Sequence, residues 1–150
     1  MTVRPWVIRT ETLLPGSAER VWAELSDLAS HRRWNPFLRS ASGRLRVGER
    51  LRIRLALDHH APLVLRPMVT VVRPPRELRW LARIGRPGLF DADRSFEIFD
   101  HDDRSVRFVM SETCSGILAP VLAATNLEAQ LYRGYDKMNQ ALLARLSSRP

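Results

Sequence analysis

The last fifth of the chain places apolar residues in steps of three and four, at Ile117, Val121, Ala124, Leu127, Leu131, Tyr135, Met138, Leu142 and Leu146. Arg133, Asp136, Lys137 and Gln140 fall on the opposite side, so the pattern predicts one helix with a single apolar stripe. From Ile117 to Leu146 such a helix is about 45 Å long, enough to cross a small domain. The preceding stretch, from about Leu38 to Cys114, alternates in the manner of strands. The helix needs an apolar face to lie on, and the strands supply one. A single helix laid across a curved sheet leaves a hollow between them, so the chain describes a container.

Further elements come from turn and cap signals. Trp6 to Leu14 alternates as a first strand; Ser17 is an N-cap ahead of Val21, Trp22, Leu25 and Leu28; a second short helix or turn covers His31 to Asn35, ended by Pro36. Strands are expected near 38–47, 49–58, 63–73, 76–84, 89–100 and 104–114. The order is strand, two short helices, six strands, helix. It predicts an α+β chain in which a curved seven-stranded antiparallel sheet wraps around the C-terminal helix. With 150 residues, no repeat and no linker, one domain over 1–150 is expected.

Charge and cysteine content narrow the function classes. The net charge of +8 is carried by arginine, with Lys137 the only lysine. Arg44, Arg46, Arg50, Arg52 and Arg54 alternate with Leu45, Val47, Leu51, Ile53 and Leu55, which reads as a wet outer sheet face rather than a nucleic-acid surface. The start of the chain lacks a signal-like segment, and no stretch approaches the roughly 18 apolar residues of a membrane span. A cytoplasmic protein without integral membrane association follows, as monomer or homodimer. Cys114 is alone and excludes an internal disulfide. His59 and His60 are adjacent beside a turn, His31 and His101 fall near segment ends, and no spacing offers a metal cage. No cofactor is expected, since neither a phosphate-cradling glycine loop nor a nucleophile elbow is present.

The element order, together with Trp34-Asn35-Pro36-Phe37, Gly43-Arg44-Leu45-Arg46-Val47-Gly48, Glu77-Leu78-Arg79-Trp80 and Arg86-Pro87-Gly88-Leu89-Phe90, resembles the bacterial members of the START-like helix-grip superfamily. This grouping is also called SRPBCC, or polyketide cyclase/dehydratase and lipid transport. Pro15 to Trp22, Ser111-Glu112, Ser115-Gly116 and Met138-Asn139 extend the likeness over nearly the whole chain. The resemblance implies a deep, mostly apolar cavity for lipids, polyketides or other hydrophobic molecules, in a family of which only some branches are enzymes. Two departures bear on function: Arg94 stands where such relatives often carry histidine, and Cys114 where they often carry an aromatic. A fixed charge at Arg94 argues against a histidine-based mechanism.

If the strands carrying Phe96 and Phe108 form a hairpin turning near Asp103, Arg94 faces Glu112, Phe96 faces Met110 and Ile98 faces Phe108. Arg94 and Glu112 then share the inward face, where a charge persists only if paired. They either line the cavity or form an ion pair in its rim. A turn near Pro87 sets Trp80 beside Arg94, which allows the guanidinium to stack on its indole, but the preferred reading of Trp80 is plain core. Phe37, Met68, Phe90, Phe96, Met110 and Leu131 are core or cavity wall. Gly134 interrupts the inward stripe at a cost of about 1 kcal/mol relative to alanine, making room either for a ligand or for a side chain from the sheet. Tyr135 brings a phenol that needs a partner if buried.

These residues predict a protein that binds a small hydrophobic molecule between sheet and helix, as carrier or sensor, with Arg94 and Glu112 as polar anchors. A cofactor-independent cyclase or dehydratase, with Glu112 the only candidate acid or base, is the second reading. An interaction module docking an acidic protein on the arginine-rich sheet face is the third.

Overall fold

In the computed structural model, which describes residues 5–58 and 61–148, β1 (Trp6–Pro15) leads into α1 (Ala18–Ser26), a 3-10 turn at Leu28–Ser30 and α2 (His31–Trp34). Ser17 caps α1 by accepting a hydrogen bond from the Arg20 amide at 3.2 Å. Then come β2 (Leu38–Ser42), β3 (Arg52–Leu55), β4 (Leu63–Leu65), β5 (Met68–Arg73), β6 (Glu77–Ile84), β7 (Phe90–Asp102) and β8 (Ser105–Ser115), followed by α3 (Ala119–Ala123) and α4 (Leu127–Ser147).

This is the helix-grip α+β arrangement, with eight strands where seven were expected. Five form one antiparallel sheet in the order β1-β8-β7-β6-β5, and β2-β3-β4 form a second. The expected 63–73 strand is cut at Pro67, which has no amide to give and whose carbonyl instead accepts from Leu51. An isolated antiparallel bridge between Arg50 and Met68 joins the two sheets at this bend. The alternation over Arg44–Arg50 does not make a strand. Gly43 and Gly48 adopt φ of 122° and 91°, and the segment closes in turns before pairing resumes at Arg52.

The C-terminal helix is also shorter than its stripe suggested. After β8, the amides of Ile117 and Leu118 bond to the carbonyls of Gly88 and Leu89, holding the chain against the β6–β7 turn. Pro120 opens the one-turn helix α3, and Thr125 ends it. Its hydroxyl donates to the Leu122 carbonyl and accepts from the Leu127 amide, so α4 starts afresh at Leu127. Helix α4 therefore spans about 32 Å rather than 45 Å. Ile117 and Val121 are 66% and 61% exposed, whereas Leu131, Tyr135, Met138, Leu142 and Leu146 are buried as the stripe predicts.

Helix α4 lies along β1, to which Asn139 bonds through the Thr10 hydroxyl at 3.1 Å. The core under it runs from Val21 and Leu25 through Phe37, Leu78, Trp80, Phe96, Phe108 and Met110 to Leu142. Beyond it, toward α3, lies a separate cluster of small residues with one aromatic: Ala82, Phe90, Ala92, Cys114 and Ala119. Among the described residues, no helix is long and apolar enough to cross a membrane.

Candidate functional site

Strands β7 and β8 pair in the register read from the sequence: Arg94 opposite Glu112, Phe96 opposite Met110, Ile98 opposite Phe108. Both charged side chains point inward and are almost wholly buried, 4% and 8% exposed. Arg94 donates through Nη2 (2.6 Å) and Nε (3.1 Å) to Glu112 Oε2 and, through the same Nε, to the Tyr135 hydroxyl at 3.1 Å. Tyr135 in turn donates to Glu112 Oε2. One carboxylate oxygen thus takes three donors, from β7 and from α4. Burial opposes the charge on Arg94, but Glu112 and then Tyr135 outweigh it and hold the guanidinium more firmly protonated than in water. Burial pushes the Tyr135 phenol well above its ordinary value; Arg94 works against that shift and Glu112 adds to it.

The guanidinium does not rest on Trp80. That residue is its cross-strand neighbour, but its ring packs edge-on against Phe96 at 5.0 Å. Arg94 lies instead 5.0 Å from the Tyr135 ring centroid and 5.3 Å from that of Phe37, two rings in T-shaped contact at 5.5 Å. Phe37 fills the space that Gly134 leaves. A Cβ built on Gly134 would fall 2.2 Å from Phe37 Cδ1. Of the two uses expected for this glycine, the structure shows the packing one. The gap in the helix is occupied by a sheet-side aromatic and leaves no ligand volume.

Phe37 is fixed by a buried polar network that the sequence did not reveal. Asn35 Oδ1 accepts from the amides of Phe37 (3.0 Å) and Leu38 (2.9 Å), which turns Asn35 Nδ2 toward His31 Nδ1 at 3.0 Å. His31 Nε2 meets the Leu25 carbonyl at 2.8 Å and must carry the proton, so Nδ1 is the acceptor and the ring is neutral. Burial pulls the His31 pKa below its ordinary value.

An apolar groove of about 480 Å³ opens at the end of the grip nearest α3. Leu57, Ala61 and Leu63 form one wall; Leu122, Thr125, Asn126, Leu127 and Gln130 form the other. Asp58 ties the walls together, accepting from Arg133 at 2.9 Å and Lys137 at 3.1 Å. Leu122 also packs on the small-residue cluster, and in that cluster the Ala92–Cys114 pair is one inward step along the strands from Arg94–Glu112. Burial pushes the Cys114 thiol up, which keeps it protonated.

None of the residues expected to line the site borders this groove. Phe37, Trp80, Phe96, Met110, Leu131 and Tyr135 belong to the core. Phe90 packs on Trp6 at 6.4 Å in the second cluster, and half-buried Met68 edges a small pocket of about 220 Å³ with Leu81 and Pro87. The groove was missed because it exists only where α3 breaks from α4; Pro120 and Thr125-Asn126 were the available signals. His59 and His60 lie outside the described residues.

The sequence matches the family model for polyketide cyclase / dehydrase and lipid transport over residues 5–147. No curated protein matches it. Among solved structures, the chain is similar to the ZhuI aromatase/cyclase from Streptomyces sp. R1128, with a TM-score of 0.79 and 16% identity, covering 97% of this chain and 96% of that one. It is also similar to a START superfamily protein from Mycobacterium smegmatis (TM-score 0.74, 15% identity, covering 95% and 97%). A third likeness is to BexL, the di-domain ARO/CYC of the BE-7585A biosynthetic pathway (TM-score 0.70, 13% identity), where the match covers 97% of this chain and 51% of the other. At these identities the likeness carries the fold alone.

Proposed function

Because this chain belongs to the polyketide cyclase / dehydrase and lipid transport family, we propose that it binds a small hydrophobic molecule, as carrier or sensor, in the groove between Leu57, Ala61 and Leu63 and the α3–α4 junction. The observation that carries this reading is the groove itself. Its volume of about 480 Å³ is that of a small-molecule site, and Leu57, Leu63, Leu122 and Leu127 make its lining apolar. Thr125, Asn126 and Gln130 supply polar contacts at one wall. Beyond Leu122 lies the buried cluster of Ala82, Phe90, Ala92, Cys114 and Ala119, which closes the groove on that side.

Arg94 and Glu112 are not the anchors in this version of the site. They satisfy each other and Tyr135 under the Phe37 ring, and act as the rigid back of the grip. The same geometry favours binding over catalysis. Glu112 Oε2 is tied to Arg94 and Tyr135, and neither the guanidinium nor the elevated phenol releases a proton near neutrality.

The test is titration with the uncharged fluorophore N-phenyl-1-naphthylamine. Saturable binding is expected, with affinity reduced at least about tenfold in Ala61→Trp, which fills the groove from an exposed position and leaves the thermal midpoint in place. Binding unchanged by Ala61→Trp would remove the groove from the reading.

A further inference from the structure

The net charge is concentrated in one part of the chain. Residues 32–66 hold nine arginines against two carboxylates, Glu49 and Asp58, a surplus of seven out of a total of +8. Asp58 is already taken by Arg133 and Lys137. Elsewhere exposed arginines find acids: Arg9 and Arg107 share Glu11, Arg76 meets Asp100, and Arg83 lies by Asp91. On the outer face of β2 and β3, Arg39, Arg52 and Arg54 have no carboxylate within 4.0 Å among the described residues.

A β-bulge shapes that face. Leu38 pairs with Leu55 but Ser40 pairs with Arg54, so Arg39 is an extra residue in β2. In a regular strand Ser40 would turn inward like Leu38. The bulge turns both Arg39 and Ser40 outward, and Ala41 resumes the buried side opposite Ile53. The result is a cleft of about 410 Å³ lined by Arg39, Ser40, Arg54, Ala56 and Pro62. Two arginines and a serine line this one cleft, and no acid does among the described residues.

We infer that this bulge-built cleft is an anion site that takes a phosphate group, either a soluble phosphate ester or a phospholipid headgroup. Two forks can engage three or four oxygens. That exceeds the two of a carboxylate and suits the non-bridging oxygens and double charge of a phosphate monoester. The Ser40 hydroxyl adds a neutral donor, and the surrounding arginine surplus raises the local anion concentration. The inference stands whether or not the apolar groove is occupied. Ala56 and Pro62 line the cleft, and Leu57 and Ala61 line the groove.

The test titrates the full ¹⁵N-labelled chain with inorganic phosphate against chloride at matched ionic strength. Saturating amide shifts are expected at Arg39, Ser40 and Arg54. Arg39→Gln/Arg54→Gln should weaken binding by at least about tenfold and Ser40→Ala by about threefold, while Arg44→Gln/Arg46→Gln, which removes the same charge nearby, should change it by less than about twofold. All these positions are exposed, so melting curves should be unaltered. Sedimentation with phosphatidylcholine vesicles containing phosphatidic acid then separates the sources. Capture that needs Arg39 and Arg54 and is competed by phosphate identifies a headgroup; phosphate binding without capture identifies a soluble ester. Equal losses in the two double variants, or shifts that chloride reproduces, would mean diffuse charge and overturn the site.

Discussion

Gly134→Ala measures directly whether the helix-to-sheet interface is filled. On an exposed helix the change stabilises by about 1 kcal/mol. Here the new Cβ falls 2.2, 2.5 and 3.0 Å from Phe37 Cδ1, Cε1 and Cγ, against about 3.5–4.0 Å for a comfortable carbon contact. The ring cannot easily retreat. The Arg94 guanidinium and the Tyr135 ring lie against it at 5.3 and 5.5 Å, and its own amide is held by Asn35. Overpacking a filled core costs about 1–3 kcal/mol, and an overlap above an ångström belongs at the upper end. Set against the helix gain, the net expectation is a loss of about 1–2 kcal/mol, lowering Tm by about 3–6 °C for a chain of this size. Urea unfolding at constant m value reads it. Phe37→Leu in the same chain should recover part of the loss, giving a coupling above about 0.5 kcal/mol in a double-mutant cycle. A Gly134→Ala chain as stable as the parent or more so, with no coupling to residue 37, would refute the close approach and reopen Gly134 as ligand space.

Three other outcomes follow from the site. Glu112→Gln leaves Arg94 buried without its counter-charge and should cost about 3–5 kcal/mol by denaturant unfolding, whereas Arg94→Met/Glu112→Leu/Tyr135→Phe, which removes every member of the buried network, should cost much less; equal losses would show that the pair's charge balance does not matter. His31 is neutral when folded and its pKa is depressed, so the unfolded chain takes up the proton first. Stability is then full above about pH 6.5 and falls as the pH drops from there toward the folded value. Thermal melts from pH 8 to 5 should show that decline, and His31→Phe should flatten it. Leu63→Ser, at the groove's outer wall, should weaken neutral-probe binding severalfold with little change in Tm; an unchanged affinity would place the probe elsewhere.

The chain's family, its α+β order and the Arg94–Glu112 pairing are all legible in the sequence. Period-2 alternation fixes which residues share a strand face, and a short hairpin turn fixes the register, so residues 18 positions apart could be set opposite each other. The same rule failed over Arg44–Arg50 and at Arg39. One-dimensional alternation has no term for a positive-φ turn or a bulge, and the bulge at Arg39 is what makes the outer cleft.

Sequence alone determined that a helix with one apolar stripe would lie on a sheet and that an inward arginine would need an inward acid, because both follow from side-chain period and the cost of an unpaired buried charge. Tertiary structure decided the rest. Whether Gly134 served a ligand or a neighbour depended on Phe37, 97 positions away in the chain. Where the helix truly began depended on Ile117 and Leu118 bonding to the β6–β7 turn. The break at Thr125 opens a groove at the end of the grip, while Phe37 fills the space beside Gly134. Contacts between distant segments decide such volumes, and a local pattern carries no record of them.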